Sequence, residues 1–596
     1  MQSCGIIKKD LVQHFRRRKM KHIFRKLAVV AALAGTVSTV LAGAQSIRIT
    51  PVGAHRGPYR LADVVTSVSR WASVSRSYVF DNGNDTFDTL DCTFDGICVS
   101  TYRKADNALL GATAVPMELD TFGGFYAGAN YNYIVFGREN ADDSDTAEVF
   151  RVVKYDKAFN RLAAAAVTNC FTYEPFEAGS LRMAEYGNIL AIHTARKRYL
   201  TSDGNRHQSQ LTVFVNTDTM TTLNNLGRFQ ENHVSHSFNQ FVRFDGENFA
   251  FIDHGDAYPR GVILQKLTTD LTALAPSSML SYERACLFEV PGTPGANCTG
   301  ITIGGFECAE DNYLVAINSV DQSKVTNYTS YEIEGIDYDE RDIILLVCSK
   351  DLKKNGSEPE IKQVRLTNYV GEYMLGSRPY LVKLPNDRFL VLWEEFVYND
   401  KWATEPLKYH SILHTSLGLK YVIVNGDGTV VSDIYSAPEA HLSSDCQPVL
   451  LDNNRVVWFS VELVGEYADL AEMLYDIDLS SELITISVNG SKVTFDRVPE
   501  VINGRTMIPV RAVSEALDAD VSWDEATQTV TLTKKNTTVT LAIGSNILYK
   551  NGNAVTLDEA ARLSGDRTLV PLRAIAEAFD CNVEWDENAN AIRIAG

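Results

Sequence analysis

One pattern of polar and apolar positions recurs between residues 45 and 480. A turn of Gly, Asp or Asn residues precedes a short apolar run, which is typical of a β-strand that leaves a hairpin turn. Most copies are followed by a second apolar strand, and most neighbouring copies start roughly 55 to 75 residues apart, which suits a four-stranded unit with long loops. The seven copies lie at residues 94–99, 131–136, 186–192, 244–252, 310–317, 385–393 and 452–459.

This spacing predicts a mainly β body that forms a six- or seven-bladed β-propeller. Closing the blades into a ring would remove exposed strand edges. The region resembles WD40-like or Kelch-like propellers in general character, without the signature motif of either, and so resembles an uncharacterised bacterial β-propeller. Two packed β-sandwiches are the alternative that the strand pattern leaves open.

The pattern changes after residue 483, where the sequence repeats itself at a constant offset of 62 residues. Asn489-Gly490 recurs as Asn551-Gly552, and residues 505–513 recur as residues 567–575. Each unit begins with alternating apolar residues and a tight Asn-Gly turn, which predicts a β-hairpin. A proline then opens a stretch with apolar residues at helical spacing, and a short strand follows. We therefore expect a small α+β tandem-repeat domain over residues 483–596.

Six residues recur in the two units and are interpreted as structural. The arginines could bind a carboxylate ligand, but a glutamate one helical turn later favours an ion pair on the helix. The tryptophans are expected in the core, covering the apolar face of the helix, rather than as platforms for sugars. The six residues are Pro509, Arg511, Trp523, Pro571, Arg573 and Trp585.

The repeated blocks Gly-Arg-Thr-Met-Ile-Pro-Val-Arg, Ala-Val-Ser-Glu-Ala-Leu and Val-Ser-Trp-Asp resemble the copper amine oxidase N-terminal-like, or stalk, domain family. This resemblance covers residues 483–596, roughly a fifth of the chain. It implies an exported protein of a Gram-positive bacterium, because the family occurs there with many different partner domains. No histidine lies beyond His441, so the region has no imidazole that could bind copper, and we do not expect an amine oxidase.

The charge distribution divides the chain into a leader and an acidic body. The 596-residue chain has a net charge of −19, but residues 1–26 hold nine basic residues, and residues 27–44 hold no charge. This is the pattern of a signal peptide at residues 1–44, with cleavage before Gln45 and a translation start at Met20 as an option. An uncleaved anchor helix is the alternative. The remaining chain has 47 basic against 74 acidic residues, which excludes nucleic acid as an expected partner.

The densest group of polar side chains follows one predicted strand end, where propellers build binding sites. Three imidazoles and two carboxylates could bind a divalent metal or supply an acid and a base. The structural alternative is that they join one blade to the next by hydrogen bonds, and that alternative is favoured. No metal or other cofactor is therefore assigned. The group, here called the histidine cluster, is His233, His236, Asp253, His254, Asp256 and Arg260.

These observations predict an exported binding or scaffold protein of the cell envelope. The propeller would be the platform for a ligand, with a cell-wall glycan or a surface protein as the expected partner. The C-terminal repeats would be a stalk or an envelope contact. The alternative is an extracellular hydrolase or lyase that acts on a polysaccharide or peptide through the cluster around His254. Membrane contact is expected only if the leader stays uncleaved, and the sequence names no substrate.

Overall fold

The structure is a computed structural model that describes residues 38–42, 45–54, 71–275, 278–352, 359–398, 414–464, 469–587 and 589–596. Within these ranges the chain is mainly β, with 46 strands and two short α-helices. Apart from residues 38–42, the predicted leader lies outside the described residues. None of the described helices is long and apolar enough to span a bilayer.

The strands before residue 480 pair antiparallel in seven sets of four. Short apolar strands alternate with Gly, Asp and Asn turns, and so each set is a meander of neighbouring hairpins. The first strands of the chain are β1 (Ser38–Ala42) and β2 (Gln45–Ala54), followed by the first two sets, β3 (Ser77–Asp81), β4 (Thr86–Thr93), β5 (Gly96–Arg103), β6 (Leu109–Val115), β7 (Thr121–Ala127), β8 (Asn132–Gly137), β9 (Phe150–Tyr155) and β10 (Arg161–Val167).

The third and fourth sets are joined into one sheet by the pair Ser209 and Ser235. Their strands, with the additional β11, are β11 (Thr172–Pro175), β12 (Leu181–Tyr186), β13 (Ile189–Arg198), β14 (Gln208–Asn216), β15 (Thr221–Thr222), β16 (Ser235–Phe244), β17 (Phe249–Tyr258), β18 (Gly261–Leu267) and β19 (Tyr282–Glu289).

The last three sets have the same order, with two small additions, the hairpin β22–β23 and the strand β26. Their strands are β20 (Ile301–Cys308), β21 (Asn312–Ser319), β22 (Asn327–Tyr328), β23 (Ile333–Glu334), β24 (Asp342–Ser349), β25 (Ile361–Arg365), β26 (Met374–Gly376), β27 (Tyr380–Leu384), β28 (Arg388–Tyr398), β29 (His414–Asn425), β30 (Tyr435–Ala437), β31 (Val449–Leu450), β32 (Arg455–Val464) and β33 (Asp469–Asp478).

The ring is closed by the N-terminal strand. β2 pairs with β33 and completes the last set, so that the first described strands lie beside the last strand of the body. One apolar cluster joins Leu390, Trp458 and Phe87, which belong to the sixth, seventh and first sets. β3 of the first set also contacts β32 of the last. Because these contacts connect the two ends of the series, the seven sets form a closed β-propeller.

The apolar core lies in layers between neighbouring sets. Phe80 and Leu90 of the first set share a cluster with Phe125 and Ile134 of the second, and the later sets pack in the same manner. The inner and central strands, such as β8, β13 and β21, are therefore buried on both faces, which explains the continuous apolar runs in the sequence. None of the nine cysteines in the described ranges is in a disulfide.

The C-terminal region has its own core, to which Ile484 belongs, whereas Leu483 belongs to that of the propeller. Its elements are β34 (Thr485–Val488), β35 (Ser491–Lys492), β36 (Glu500–Ile502), β37 (Arg505–Pro509), α1 (Val510–Ala516), β38 (Asp520–Asp524), β39 (Thr529–Lys534), β40 (Thr537–Ala542), β41 (Ile547–Lys550), β42 (Asn553–Thr556), β43 (Arg562–Ser564), β44 (Arg567–Pro571), α2 (Leu572–Ala578), β45 (Asn582–Asp586) and β46 (Ala591–Ala595).

The two C-terminal units exchange strands around an approximate two-fold axis. β37 pairs antiparallel with β44, and Ile508 lies opposite Val570, its equivalent 62 residues later. The hairpin β34–β35 of the first unit pairs with β46 of the second, while β38 and β39 of the first share a sheet with β41 and β42. The two units therefore form one domain with a common core.

Local sequence explains the turns and helix starts of this domain. Asn489 and Gly490 have φ angles of 49° and 81°, and the equivalent Asn551 and Gly552 have the same values. These left-handed conformations form the tight hairpin turn that Asn-Gly predicts. Pro509 and Pro571 each cap the N-terminus of a helix, one residue before its first turn, where a missing N–H is tolerated.

The structure contains the ion pair predicted for the first recurring arginine, but it does not bury the recurring tryptophans. Arg511 lies 3.5 Å from Glu515, the ion pair that the helical spacing predicts. The expectation that the tryptophans lie in the core is wrong, because the exposed fractions are 41% for Trp523 and 48% for Trp585. Both lie on edge strands, β38 and β45, and among the described strands none pairs with their outer sides.

The C-terminal domain contacts the propeller through backbone and side-chain bonds. The amide of Val498 donates to the carbonyl of Val431, and Val498 is part of the propeller core. Arg497 pairs with Asp433 at 2.8 Å. The contact therefore combines apolar burial with an ion pair.

Candidate functional site

The innermost strands of the seven sets line a central cavity of about 710 Å³, here called the channel. A cavity of this size is within the range that holds a small ligand. Every set contributes to its wall, as shown by one lining residue from each: Val79, Tyr126, Met183, Arg243, Glu307, Leu381 and Val449.

Most charged groups in the channel wall already have partners within the protein. Arg243 pairs with Glu307 at 2.8 Å across two neighbouring sets. Glu185 accepts a hydrogen bond of 2.9 Å from the hydroxyl of Tyr133. The ammonium of Lys383 donates to the carbonyl of Cys308 at 2.6 Å. These contacts stabilise the channel wall, and the groups have hydrogen-bond partners within the protein without a ligand.

Arg182 on β12 is the exception. Its Nη1 donates to the carbonyl of Leu181 at 2.9 Å, and its guanidinium lies 5.4 Å from the ring centroid of Phe241. Among the described residues, no carboxylate forms an ion pair with it. Burial lowers the pKa of Arg182 and the charge of Arg378 lowers it further, while Tyr78 acts in the opposite sense. A half-buried cation without an acidic partner is poorly compensated by the protein alone.

The histidine cluster is divided by the structure into separate contacts. Asp253 is fully buried; it accepts bonds from Ser237 at 2.5 Å and Gln265 at 3.1 Å, and lies 3.2 Å from Nε2 of His193. His193 lies on β13 of the neighbouring set. Asp253 therefore joins two blades, as the structural alternative describes.

His254 and His233 are held neutral by their surroundings. His254 is 1% exposed, and its Nε2 lies 2.9 Å from the hydroxyl of Thr299, just before the next set. Burial, with a contribution from Arg260, lowers the pKa of His254 to about 3. Burial and the charge of Arg198 lower the pKa of His233 to about 4. Neither imidazole is charged at neutral pH.

Arg260 uses its donors on backbone carbonyls. It contacts the carbonyl oxygens of Pro291 at 3.0 Å, Asp256 at 2.7 Å and Ala296 at 2.6 Å. These bonds fix the loops that surround the β17–β18 turn. They leave Arg260 in a structural position.

His236 is one of two partly exposed histidines in the cluster, the other being His233. The side chain of His236 is 30% exposed, and its Nδ1 lies 3.1 Å from Oδ1 of the fully buried Asp256. The second carboxylate oxygen of Asp256 is buried with no hydrogen-bond partner in the described part of the chain. The ring of His207 lies 6.3 Å away, nearly parallel to that of His236. Within the described ranges, no three His, Cys, Asp or Glu side chains converge as metal ligands.

The recurring sequence pattern did not identify Arg182, because that pattern consists of a turn and the strand that follows the turn. In six of the seven sets the channel is lined by the strand before that turn, and Arg182 lies near the start of such a strand, between apolar Leu181 and Met183. The available signal was an arginine in an inner strand beside the apolar residues Leu181, Met183 and Ala184.

Three solved structures illustrate the comparisons of the whole fold. Oligogalacturonate lyase from Vibrio parahaemolyticus is 10% identical, with a TM-score of 0.36, covering 74% of this chain and 96% of that chain. A protein of unknown function from Dyadobacter fermentans is 10% identical, with a TM-score of 0.31, covering 72% and 99%. Penicillium chrysogenum alpha-L-arabinanase complexed with arabinobiose is 11% identical, with a TM-score of 0.27, covering 49% and 92%. Scores this low carry no argument about activity, and the propeller assignment rests on the strand pairing.

No curated protein matches the chain. The C-terminal region, in contrast, matches a known family. The matched residues contain no histidine, so this region has no imidazole ligand for copper. Residues 487–594 match the copper amine oxidase N-terminal domain family, which confirms the resemblance that the repeated blocks predict.

Proposed function

We propose that the protein is an exported binding protein of the cell envelope, and that its channel holds a short glycan fragment that carries a carboxylate. The single observation that carries this proposal is Arg182, a half-buried cation in the channel wall with no acidic partner among the described residues. A carboxylate would supply the missing charge through charge-assisted hydrogen bonds.

The rest of the wall suits a sugar. Aromatic side chains present flat apolar faces beside polar hydroxyls, a combination that matches the faces and edges of a sugar ring. The partly exposed aromatic residues in the wall are Tyr78, Tyr126 and Phe244, whereas Phe80 and Phe125 belong to the buried core. Because the chain as a whole is acidic, a ligand with one or few carboxylates fits better than a polyanion.

Calorimetric titration with a glucuronate-capped trisaccharide tests the proposal. Arg182→Met should weaken binding by about 10- to 100-fold, the value of one hydrogen bond to a charged group. Reduction of the sugar carboxylate to an alcohol should weaken binding to the wild type similarly and add little to the effect of R182M. Arg103→Met is the matched control, because Arg103 lies outside the channel and pairs with the exposed Asp106. Equal binding by wild type and R182M would refute the proposal.

An enzyme is the second candidate, and the exposed His236 favours it. The buried His254 is unsuited to contact a substrate, so a proton-transfer role falls on His236, whose orientation is fixed by Asp256. His236→Gln should abolish release of sugar fragments from an acidic polysaccharide while binding in the channel is unchanged. If the wild type releases no fragments from the polysaccharide, the enzyme proposal fails and the binding proposal is unaffected.

A further inference from the structure

A second recessed surface lies in the C-terminal domain, and all of its lining residues belong to that domain. A groove of about 830 Å³, here called the stalk groove, runs between α2, the strand β45, the hairpin β41–β42 and the β36–β37 turn. Apolar residues form much of its wall, among them Val501, Leu548, Val555, Ala574 and Val583.

The stalk groove has an aromatic face. Trp585 lines it with 48% of the residue exposed. The indole lies on β45, the edge strand of its sheet, opposite Ile592 on β46. An exposed indole beside apolar wall residues offers a flat surface on which a sugar ring can stack.

The charges of the stalk groove are unequal. Arg505 pairs with Asp558 at 2.8 Å, and Lys550 pairs with Asp580 at 2.8 Å. Arg573 on α2 is exposed and forms no ion pair within the described part of the chain. Within the described part of the chain, the groove therefore has one guanidinium without an ion pair, that of Arg573, together with the exposed carboxylate of Glu577 one helical turn later.

The helix of the first unit has an arginine–glutamate ion pair that is not found in the described part of the second unit. Arg511, the equivalent of Arg573, lies 3.5 Å from Glu515, whereas the same spacing between Arg573 and Glu577 produces no such pair. All four side chains are exposed, so the repeat spacing alone does not hold Arg573 in an ion pair. The first unit also supplies internal control residues for an experiment.

We propose that the stalk groove binds a carboxylate-bearing glycan, with a sugar ring on Trp585 and its carboxylate on Arg573. The groove is larger than the channel, about 830 Å³ against about 710 Å³, and suits a segment of a glycan chain. The C-terminal domain has 11 basic and 15 acidic residues, so it repels such a ligand less than the strongly acidic propeller. The stalk is then a second contact with the envelope, in addition to the channel.

The test uses the full chain with Arg182→Met, so that binding in the channel does not contribute. Affinity electrophoresis measures retention by an immobilised glucuronate-containing polysaccharide and by its carboxyl-reduced form. Trp585→Ala should weaken retention by both forms at least tenfold. Arg573→Met should weaken retention by the acidic form about 10- to 100-fold and leave the reduced form unchanged.

The first unit supplies the controls. Trp523→Ala and Arg511→Met change the equivalent exposed residues and should alter retention less than twofold. Equal losses from both pairs of variants would show non-specific adhesion and overturn the proposal, as would retention that Trp585→Ala leaves intact. The channel proposal would survive either result, because its measurement depends on Arg182 alone.

Discussion

The closure of the propeller depends on one buried carboxylate, Asp476 on β33. Its side chain is fully buried; it accepts bonds from Nε of Arg48 at 2.7 Å and from Asn107 at 2.8 Å, and it also pairs with Arg455. Arg48 lies on the closing strand β2, Asn107 lies in the first set and Arg455 in the last. Asp476→Asn keeps the shape of the side chain and removes the charge that these three donors share.

The expected loss of unfolding free energy in D476N depends on the partners that Arg455 and Arg48 keep. Removing one member of a buried ion pair typically destabilises a protein by about 3–5 kcal/mol. Arg455 keeps Asp478 at 3.0 Å, and Arg48 keeps the carbonyl of Ala105 at 2.6 Å. We therefore expect the lower end, about 3 kcal/mol, for D476N. Urea unfolding followed by tryptophan fluorescence measures it, because Trp458 stacks on Tyr475 beside this site, with ring centroids 5.4 Å apart.

Asp478→Asn is the matched control for this prediction. Asp478 contacts the same Arg455 but its side chain is 35% exposed, so solvent screens the pair. Its loss should cost less than about 1 kcal/mol. If D476N and D478N destabilise the protein equally, or if D476N unfolds at the wild-type urea concentration, the closing role assigned to Asp476 is wrong.

The remaining predictions concern acid stability and the C-terminal core. His254 and His233 have pKa values of about 3 and 4 in the folded protein, against about 6.5 when unfolded, so the unfolded state takes up protons first as pH falls. The free energy of unfolding should therefore be insensitive to these groups above pH about 7, and should fall below pH about 6.5 by up to about 1.4 kcal/mol per pH unit for each histidine. Urea unfolding at several pH values should show a smaller slope for His254→Gln, and an unchanged slope would contradict the assignment. Ile508→Ala should destabilise the C-terminal domain by about 2–5 kcal/mol, because Ile508 is fully buried on the two-fold axis; calorimetry that shows no shift of this domain's transition would contradict the paired arrangement.

Local patterns predict much of this fold, because turns and strand periodicity depend on neighbouring residues. The Asn-Gly turns form as predicted, and their φ angles are those that this dipeptide favours. The recurring apolar strands give a mainly β propeller, and the number of sets in the strand pairing is seven. The closing pairing of β2 with β33 joins residues more than 400 positions apart, and no local pattern indicates it.

The candidate sites were harder to predict, because they depend on which strands face the axis and which side chains find partners. The histidine cluster was predicted because its members are close in sequence. In the structure, however, Asp253 and His254 are buried in contacts between neighbouring sets. Arg182 has no neighbour in sequence that marks it, and its importance comes from the absence of an ion pair with it among the described residues, although Glu185 and Glu307 line the same channel. The exposure of Trp585 follows from its edge strand, which is fixed by strand exchange between the units.

The central proposal is that Arg182 binds the carboxylate of a ligand in the channel. An experimental structure of the protein with a glucuronate-capped trisaccharide tests this most directly. We predict the sugar between the inner strands, with its carboxylate about 3 Å from the guanidinium of Arg182. A ligand found outside the channel, or an Arg182 paired with a carboxylate of the protein itself, would contradict it.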